Sequence, residues 1–321
     1  MNPIRPFAEA DYPATIGLWN RLNPDRSRSL EDARHTDASL EGKVRKGRWV
    51  AEVGGEIVGV GEYSQNLGSL HPQKFILEGY VAPEFQGQGI GKALYERVLE
   101  ALQTYDPISL RTTVRENQDR ALKFLHDRGY AETKRDWVSV LTVAEANLEP
   151  FTEAEERLKA QGLEIRSLAE LLETDPQAIS KLHALFSEIR LDTPRSEPPT
   201  PISLGTFVEN VVSGPDYDPK AFFIALENTE WVGMSCMFRV GQTKELDHWF
   251  TGTRRPWRGR DIAQALKVRT VRFARENGFA TIRTDNDSRN AAMLAINDRL
   301  GFRRGAAQIS LLKELVPGAV L

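Results

Sequence analysis

The chain has 321 residues, a net charge of −3, one cysteine and 40% apolar residues. That length suits two domains better than one, and a pI near 6.1 with a mean hydropathy of −0.41 argues against a dedicated nucleic-acid binder and against a membrane protein, since no apolar run approaches the roughly eighteen residues of a span. A lone Cys236 excludes an intrachain disulfide and a cysteine metal cluster; with no signal-peptide pattern at the amino terminus, the expectation is a cytoplasmic protein without a metal.

Ile4 to Pro6 open a short strand, and Ile16, Leu18 and Trp19 after Asp11 and Tyr12 predict a helix. The polar run 22–33 reads as a loop and part of a second helix. Residues 49–53 and 57–60 flank Gly54-Gly55, the signature of a hairpin. Phe75, Leu77, Gly79 and Val81 alternate with Ile76, Glu78 and Tyr80, the two-residue period of a strand that Pro83 ends. From Ile90 the period changes, and Ile90, Leu94 and Val98 mark one face of a helix. Residues 108–114 form a strand, 117–126 a helix that Gly129 ends, and 137–143 a strand expected to close the first unit. The polar, helix-prone run 144–161 reads as a connector.

The same order then repeats: a strand at 163–168, a helix near 178–186, and a loop marked by Pro194, Pro198, Pro199 and Pro201. A hairpin (222–226 and 231–240), a central strand (249–253), a turn and helix (255–267), a strand at 282–284, a helix at 290–302 and a last strand at 309–312 follow. Gly91 and Ala263 lie 172 residues apart (263 − 91), and so do Gly129 and Gly301 (301 − 129). Two distant motifs sharing one offset point to an internal repeat. The fold class is α/β (mixed α+β), with two tandem units: 1–145, a connector helix at 146–161, and 162–321.

The turn from Gln86 to Lys92 carries the chemistry. Glycines just before a helix let bare backbone N–H groups approach an anion, and the helix start adds partial positive charge. G-x-x-x-x-G-K-[ST] is not met, because Ala93 follows Lys92; G-x-G-x-x-G is not met, because the glycines fall as G-x-G-x-G.

Entered from a strand and leaving into a helix, V-x-P-x-x-Q-G-x-G-x-G (Val81, Pro83, Gln86, Gly87, Gly89, Gly91) resembles the acetyl-CoA signature of the GNAT acetyltransferase superfamily. The doubled plan resembles tandem GNAT N-acetyltransferases. The resemblance implies acetyl-CoA as co-substrate, with backbone N–H groups of Gln86, Gly87, Gln88, Gly89, Ile90, Gly91 and Lys92 on its pyrophosphate. It places the Val81 backbone beside the pantetheine and thioester, and Asn117 or Gln118 near the thiol end. The family pattern N-x-x-A falls on Gln118 and Ala121, with Asn117 one place early, so both residues stand as candidates. The implied reaction is acetyl transfer to a primary amine of a small molecule or peptide, by direct attack on the thioester. The same cofactor seat also suits a non-catalytic acetyl-CoA-binding sensor or structural protein.

Acetyl transfer needs a base for the amine proton and a donor for the developing oxyanion. Glu78, three residues before Val81, is the candidate base, the plain alternative being a solvated carboxylate. Tyr80 on the same face is an acceptor-site wall or proton donor, or a packing residue. The tyrosine acid that family members carry four residues before the helix-ending glycine is here Leu125, and the adjacent His126 reads as a surface residue. In the second unit Asp261 stands for Gly89, Phe250 for Glu78, Thr253 for Val81 and Asn297 for the tyrosine. Asp261 is expected to repel a pyrophosphate and to cap its helix, and His248 to share a face with Phe250. Arg254, Arg255, Arg258 and Arg260 read as a phosphate-binding cluster or a solvated basic face. The first unit is thus expected to hold the cofactor and the second to be structural or acceptor-shaping, with loops 22–36 and 192–204 bordering the acceptor. The expected partner is a small-molecule or peptide amine, with no nucleic acid and no membrane; the chain is a monomeric pseudo-dimer or forms a homodimer.

Overall fold

The structure, a computed structural model, describes residues 4–194, 197–316 and 318. It divides into two compact units. The first starts with strand β1 (Ile4–Pro6), helices α1 (Tyr12–Leu22) and α2 (Leu30–Leu40), and the hairpin β2 (Lys46–Val53) and β3 (Glu56–Ser64). It continues with β4 (Lys74–Val81), α3 (Ile90–Leu102), β5 (Ser109–Arg115) and α4 (Asp119–His126). Gly54 and Gly55 both take positive φ (60° and 85°) at the hairpin tip, as a tight two-residue turn requires. On α3, Ile90, Leu94, Val98 and Leu102 recur every fourth residue and are all buried. With Phe75 and Leu77 of β4 and Leu110 and Val114 of β5 they form the core of this unit. The opposite sheet face carries α1 and α2, to which Tyr80 and Arg48 bond.

After β6 (Ala131–Thr142) the second unit adds α5 (Ala154–Ala160), β7 (Leu163–Ser167), α6 (Leu168–Thr174), α7 (Ala178–Ile189) and α8 (Leu204–Phe207). It ends with β8 (Phe222–Glu227), β9 (Glu230–Arg239), β10 (Glu245–Thr253), α9 (Ile262–Glu276), β11 (Thr281–Asp287), α10 (Ala291–Leu300) and β12 (Arg303–Arg304), before the last strand, β13 (Gln308–Glu314). The run expected to be a mere connector supplies core: Phe151 and Leu158 are fully buried in the cluster that includes Leu266 and Val271 of α9. No helix among the described residues is long and apolar enough to cross a membrane.

The closing strands are exchanged. β6, expected to finish the first unit, pairs antiparallel with β11 from Asp136↔Asp287 to Thr142↔Thr281. β13 pairs with β5 from Gln308↔Arg115 to Glu314↔Ser109 and sends Ile309 and Leu311 into the first unit's core. The described residues of 1–134, 196–200 and 308–321 make the first unit, and those of 135–195 and 201–307 the second. Division in space thus differs from division along the chain. Alternation marks a segment as a strand, but only a complementary edge decides its partner.

Candidate active site

β4 and β5 run parallel only from Lys74↔Ser109 to Ile76↔Arg111. Beyond that point β4 stays with β3 as far as Gly59↔Val81, and β5 stays with β13. The sheet therefore opens from Leu77 onward, and the opening ends at the glycine turn. There Gly87 and Gly89 take φ of 82° and 84°, a region that strains side-chain-bearing residues. Gln86 Nε2 donates to the Val81 carbonyl (3.0 Å), fastening the turn to the end of β4. The first N–H in the α3 ladder is that of Ala93, donated to Gly89 (3.0 Å). The helix-start N–H groups before it, up to Lys92, have no carbonyl within the helix to reach. Backbone donors, a helix start and open space over Gly89 together fit a pyrophosphate.

Sequence reasoning missed Arg120. Its Nη2 lies 2.8 Å from where a Cβ on Gly87 would sit, so its guanidinium covers the turn. It makes no ion pair among the described residues. The signal was present, since Arg120 is the second residue of α4, where the helix dipole disfavours a cation. Asn117 and Gln118 are both exposed; the Gln118 side chain accepts from the Arg115 N–H at 3.4 Å and caps nothing in α4. Leu125 is buried, and exposed His126 is tied by Nδ1 to the Tyr130 carbonyl (3.1 Å).

On the α1 side of β4, Glu78 stands directly across from Glu62 of β3. Glu62 and Asp37 share the Arg48 guanidinium, and Asp37 also binds Lys46 and the Tyr12 hydroxyl. Glu78 has no such partner. Its Oε1 is shut off from solvent and accepts no hydrogen bond; the closest cation, Arg28 Nη2, is 3.8 Å away. Burial chiefly, and the Glu62 charge next, raise its pKa above the usual 4.5, against the opposing pull of Arg28, Arg48 and Arg26. A carboxyl displaced in that direction is a better proton acceptor. Tyr80 is held by its hydroxyl to the Thr15 carbonyl (3.4 Å) and stands edge-on to Trp19. Burial raises its pKa, so it stays protonated.

Residues 9–130 match the family model described as the acetyltransferase (GNAT) family. That match lies within the first unit. Across the whole chain the fold is similar to two solved tandem-length structures. One is a GCN5-related N-acetyltransferase from Sphaerobacter thermophilus, with 21% identity, a TM-score of 0.70, and coverage of 99% of this chain and 97% of that one. The other is a tandem GNAT protein from the clavulanic acid biosynthesis pathway, with 16% identity, a TM-score of 0.73, and 99% of both chains covered. The chain thus has the tandem GNAT fold.

The second GNAT unit keeps the frame and changes its contents. β10 and β11 part after His248↔Thr284, and Gly259 and Asp261 repeat the positive φ values of the turn (77° and 59°). Asp261 does not cap α9 as expected; its exposed side chain makes no cap hydrogen bond. The arginines are neither free for phosphate nor simply solvated. Arg254 pairs with Glu188 (3.0 Å) and Glu230 (2.9 Å), Arg255 and Arg258 with Asp192, and Arg260 with Glu227 (2.9 Å). Phe250 and Cys236 face each other across β10 and β9 where the first unit has Glu78 and Glu62. Phe186 and Trp249 stack beside them (4.9 Å).

His248 is not on the face of Phe250. A bulge between the two shifts the register, and one extra residue turns every preceding side chain to the other face. His248 instead lies buried, its Nε2 2.8 Å from the Ser235 hydroxyl. On the same side Lys267 of α9 is buried and bonds Asn297, which bonds Asn286 (2.6 Å). Burial lowers the Lys267 pKa to about 7 and, with the Lys267 charge, holds His248 well below 6.5.

Two further features border the first unit. Residues 197–200 lie on its sheet face: Thr200 N donates to Gly68 (2.9 Å), and Glu197 pairs with Arg111 (3.4 Å) and Lys74 (3.6 Å). Positions 195 and 196 of the expected 192–204 loop fall outside the described residues. A cavity of about 480 Å³ between α1 and the β2–β3 hairpin is lined by Arg5, Asp11 and Glu52, which already pair with one another, and it contains none of the candidate residues.

Proposed function

We propose that the first unit is an acetyl-CoA-dependent N-acetyltransferase acting on a primary amine. The observation that carries this reading is Glu78. Its Oε1 is shielded and accepts no hydrogen bond, it stands on the strand that ends at the glycine turn, and the equivalent place in the second unit is phenylalanine. The acyl group comes from the thioester of acetyl-CoA, whose pyrophosphate would rest on the N–H groups of residues 87–92 and under Arg120; the Gln86 N–H, expected among them, already donates to the Pro83 carbonyl (3.2 Å). The open edge of β4 beyond Ile76 leaves room for the pantetheine arm beside Val81. Glu78 takes one proton from the acceptor ammonium, leaving a neutral amine that attacks; as the N–C bond forms and the C–S bond breaks, the nitrogen gives its second proton to solvent and the thiolate is protonated from solvent. Deprotonation is the protein's main task here, because an ammonium has no lone pair with which to attack. The second unit, with its paired arginines and Phe250, is structural or acceptor-shaping.

The test is release of free CoA, followed over a panel of small and peptide amines, with wild type and Glu78→Gln. Turnover that falls about 10²–10³-fold in Glu78→Gln at unchanged cofactor affinity supports the reading. Tight acetyl-CoA binding with no turnover of any amine would replace it by the sensor reading.

A further inference from the structure

Beside Glu78 the first unit holds a second group whose bonding capacity is unspent. The Arg28 guanidinium lies over the Trp19 ring, 4.0 Å from its centroid. Its loop is pinned to α1 at three points: Arg28 N donates to Asn20 Oδ1 (2.8 Å), Asn20 Nδ2 donates to the Arg28 carbonyl (3.0 Å), and Trp19 Nε1 donates to the Arg26 carbonyl (3.0 Å). Among the described residues the guanidinium itself makes no hydrogen bond. Among the described residues its one carboxylate neighbour within ion-pair range is Glu78 Oε1 at 3.8 Å, too far to bond. Asp32, at the start of α2, feels the Arg28 charge without bonding it. A planar fork of five N–H donors, held in place and unused, is the side chain best matched to a carboxylate. Across the gap, Glu78 Oε1 is an acceptor without a donor.

We propose, building on the acetyl-transfer reading, that the acceptor is a free α-amino acid, its carboxylate on Arg28 and its amino group on Glu78. Standard bond lengths set the amino nitrogen and carboxylate oxygens of such a molecule roughly 3 Å apart, which spans anchors separated by 3.8 Å. An ω-amino acid sets its charges too far apart to bridge that gap. A plain monoamine satisfies Glu78 and leaves its own charge beside Arg28 and Arg26, the two arginines whose charges reach Glu78 from this loop. Trp19 and Tyr80, edge to face at 5.5 Å, wall the anchors with aromatic surface. The second unit has no counterpart of the pair, since Phe250 replaces the carboxylate.

The test is a kinetic comparison of L-amino acids, their α-amides, the corresponding decarboxylated amines and ω-amino acids, with wild type, Arg28→Gln and Arg28→Lys. The expected result is a KM for free α-amino acids at least tenfold below that of their amides. Arg28→Gln should raise that KM tenfold or more with kcat little changed, leave the KM of amides and monoamines no higher than in wild type, and be partly rescued in Arg28→Lys. Amides or monoamines preferred by wild type, or one uniform effect of Arg28→Gln on all acceptors, overturns the inference while leaving acetyl transfer intact. If nothing is turned over, acetyl transfer fails, and saturation-transfer NMR with the same amino acids then judges the anchors alone. Binding by wild type that is lost in Arg28→Gln upholds the pair, and no binding refutes it.

Discussion

Gly89→Asp tests the cofactor seat with charge rather than bulk. The backbone tolerates the change, since a Cβ on Gly89 meets nothing within 4 Å. The second unit already holds Asp261 at φ 59° in the same place. The strain of a side chain at positive φ is about 1 kcal/mol, worth roughly 2–4 °C in Tm for a chain of this size. The carboxylate, however, would face the pyrophosphate. At about 5 Å and an effective dielectric near 20, one unit of like charge costs ~3 kcal/mol. Gly89 is exposed, so salt screens part of that, and the expected loss of acetyl-CoA affinity is about a hundredfold. Titration calorimetry should give one site per chain in wild type and none resolvable in Gly89→Asp. Gly89→Ala, with the strain but not the charge, should lose less than tenfold, and the Asp penalty should shrink at high salt. Asp261→Gly should leave the stoichiometry at one, because the neighbouring arginines remain paired. Affinity of Gly89→Asp within threefold of wild type, or equal losses in Gly89→Ala and Gly89→Asp, would refute the electrostatic argument.

Other expectations follow from the same geometry. The acid limb of the wild-type kcat/KM profile should lie above the ordinary glutamate value of 4.5, since Glu78 is raised, and activity should fall as pH drops through that limb; a limb at or below 4.5 removes Glu78 as the base. Lys267 titrates near 7 folded against 10.5 unfolded, so the unfolded chain holds the extra proton between those values. Stability of wild type relative to Lys267→Met should therefore rise with pH across that window, by at most about 5 kcal/mol, and a flat difference in denaturant melts contradicts the burial argument. Deleting residues 308–321 removes β13 from β5 and Ile309 and Leu311 from the first core; the cooperative transition of the first unit should be lost in calorimetry, whereas a native-like melt would show that the exchange is dispensable. Arg120→Gln should weaken acetyl-CoA about tenfold at low salt and flatten the salt dependence of binding; an unchanged Kd would place the guanidinium outside the phosphate site.

How much of this was legible along the chain depended on how local the information is. The turn was fully legible: Gly87 and Gly89 lie where the backbone needs positive φ, and the change from alternation to a four-residue period at Ile90 located the start of α3. Glu78 and Tyr80 shared a face as alternation required. The second unit misled where locality ended. One bulged residue at Trp249, invisible in composition, moved His248 from the Phe250 face to that of Lys267. The arginine run looked like a phosphate site because Asp192, Glu188, Glu227 and Glu230, which neutralise it, are distant in sequence.

By itself the sequence determined the two repeated units, their strand and helix types, and the glycine turn before α3, because these follow from side-chain period and backbone freedom within a few residues. Only the tertiary structure decided which unit each closing strand completes, and that Arg120 covers Gly87. It alone brought Arg28 beside Glu78 and left both with bonds to make. Those outcomes turn on which edges, charges and aromatic faces meet across thirty or more residues, and no local period encodes that meeting.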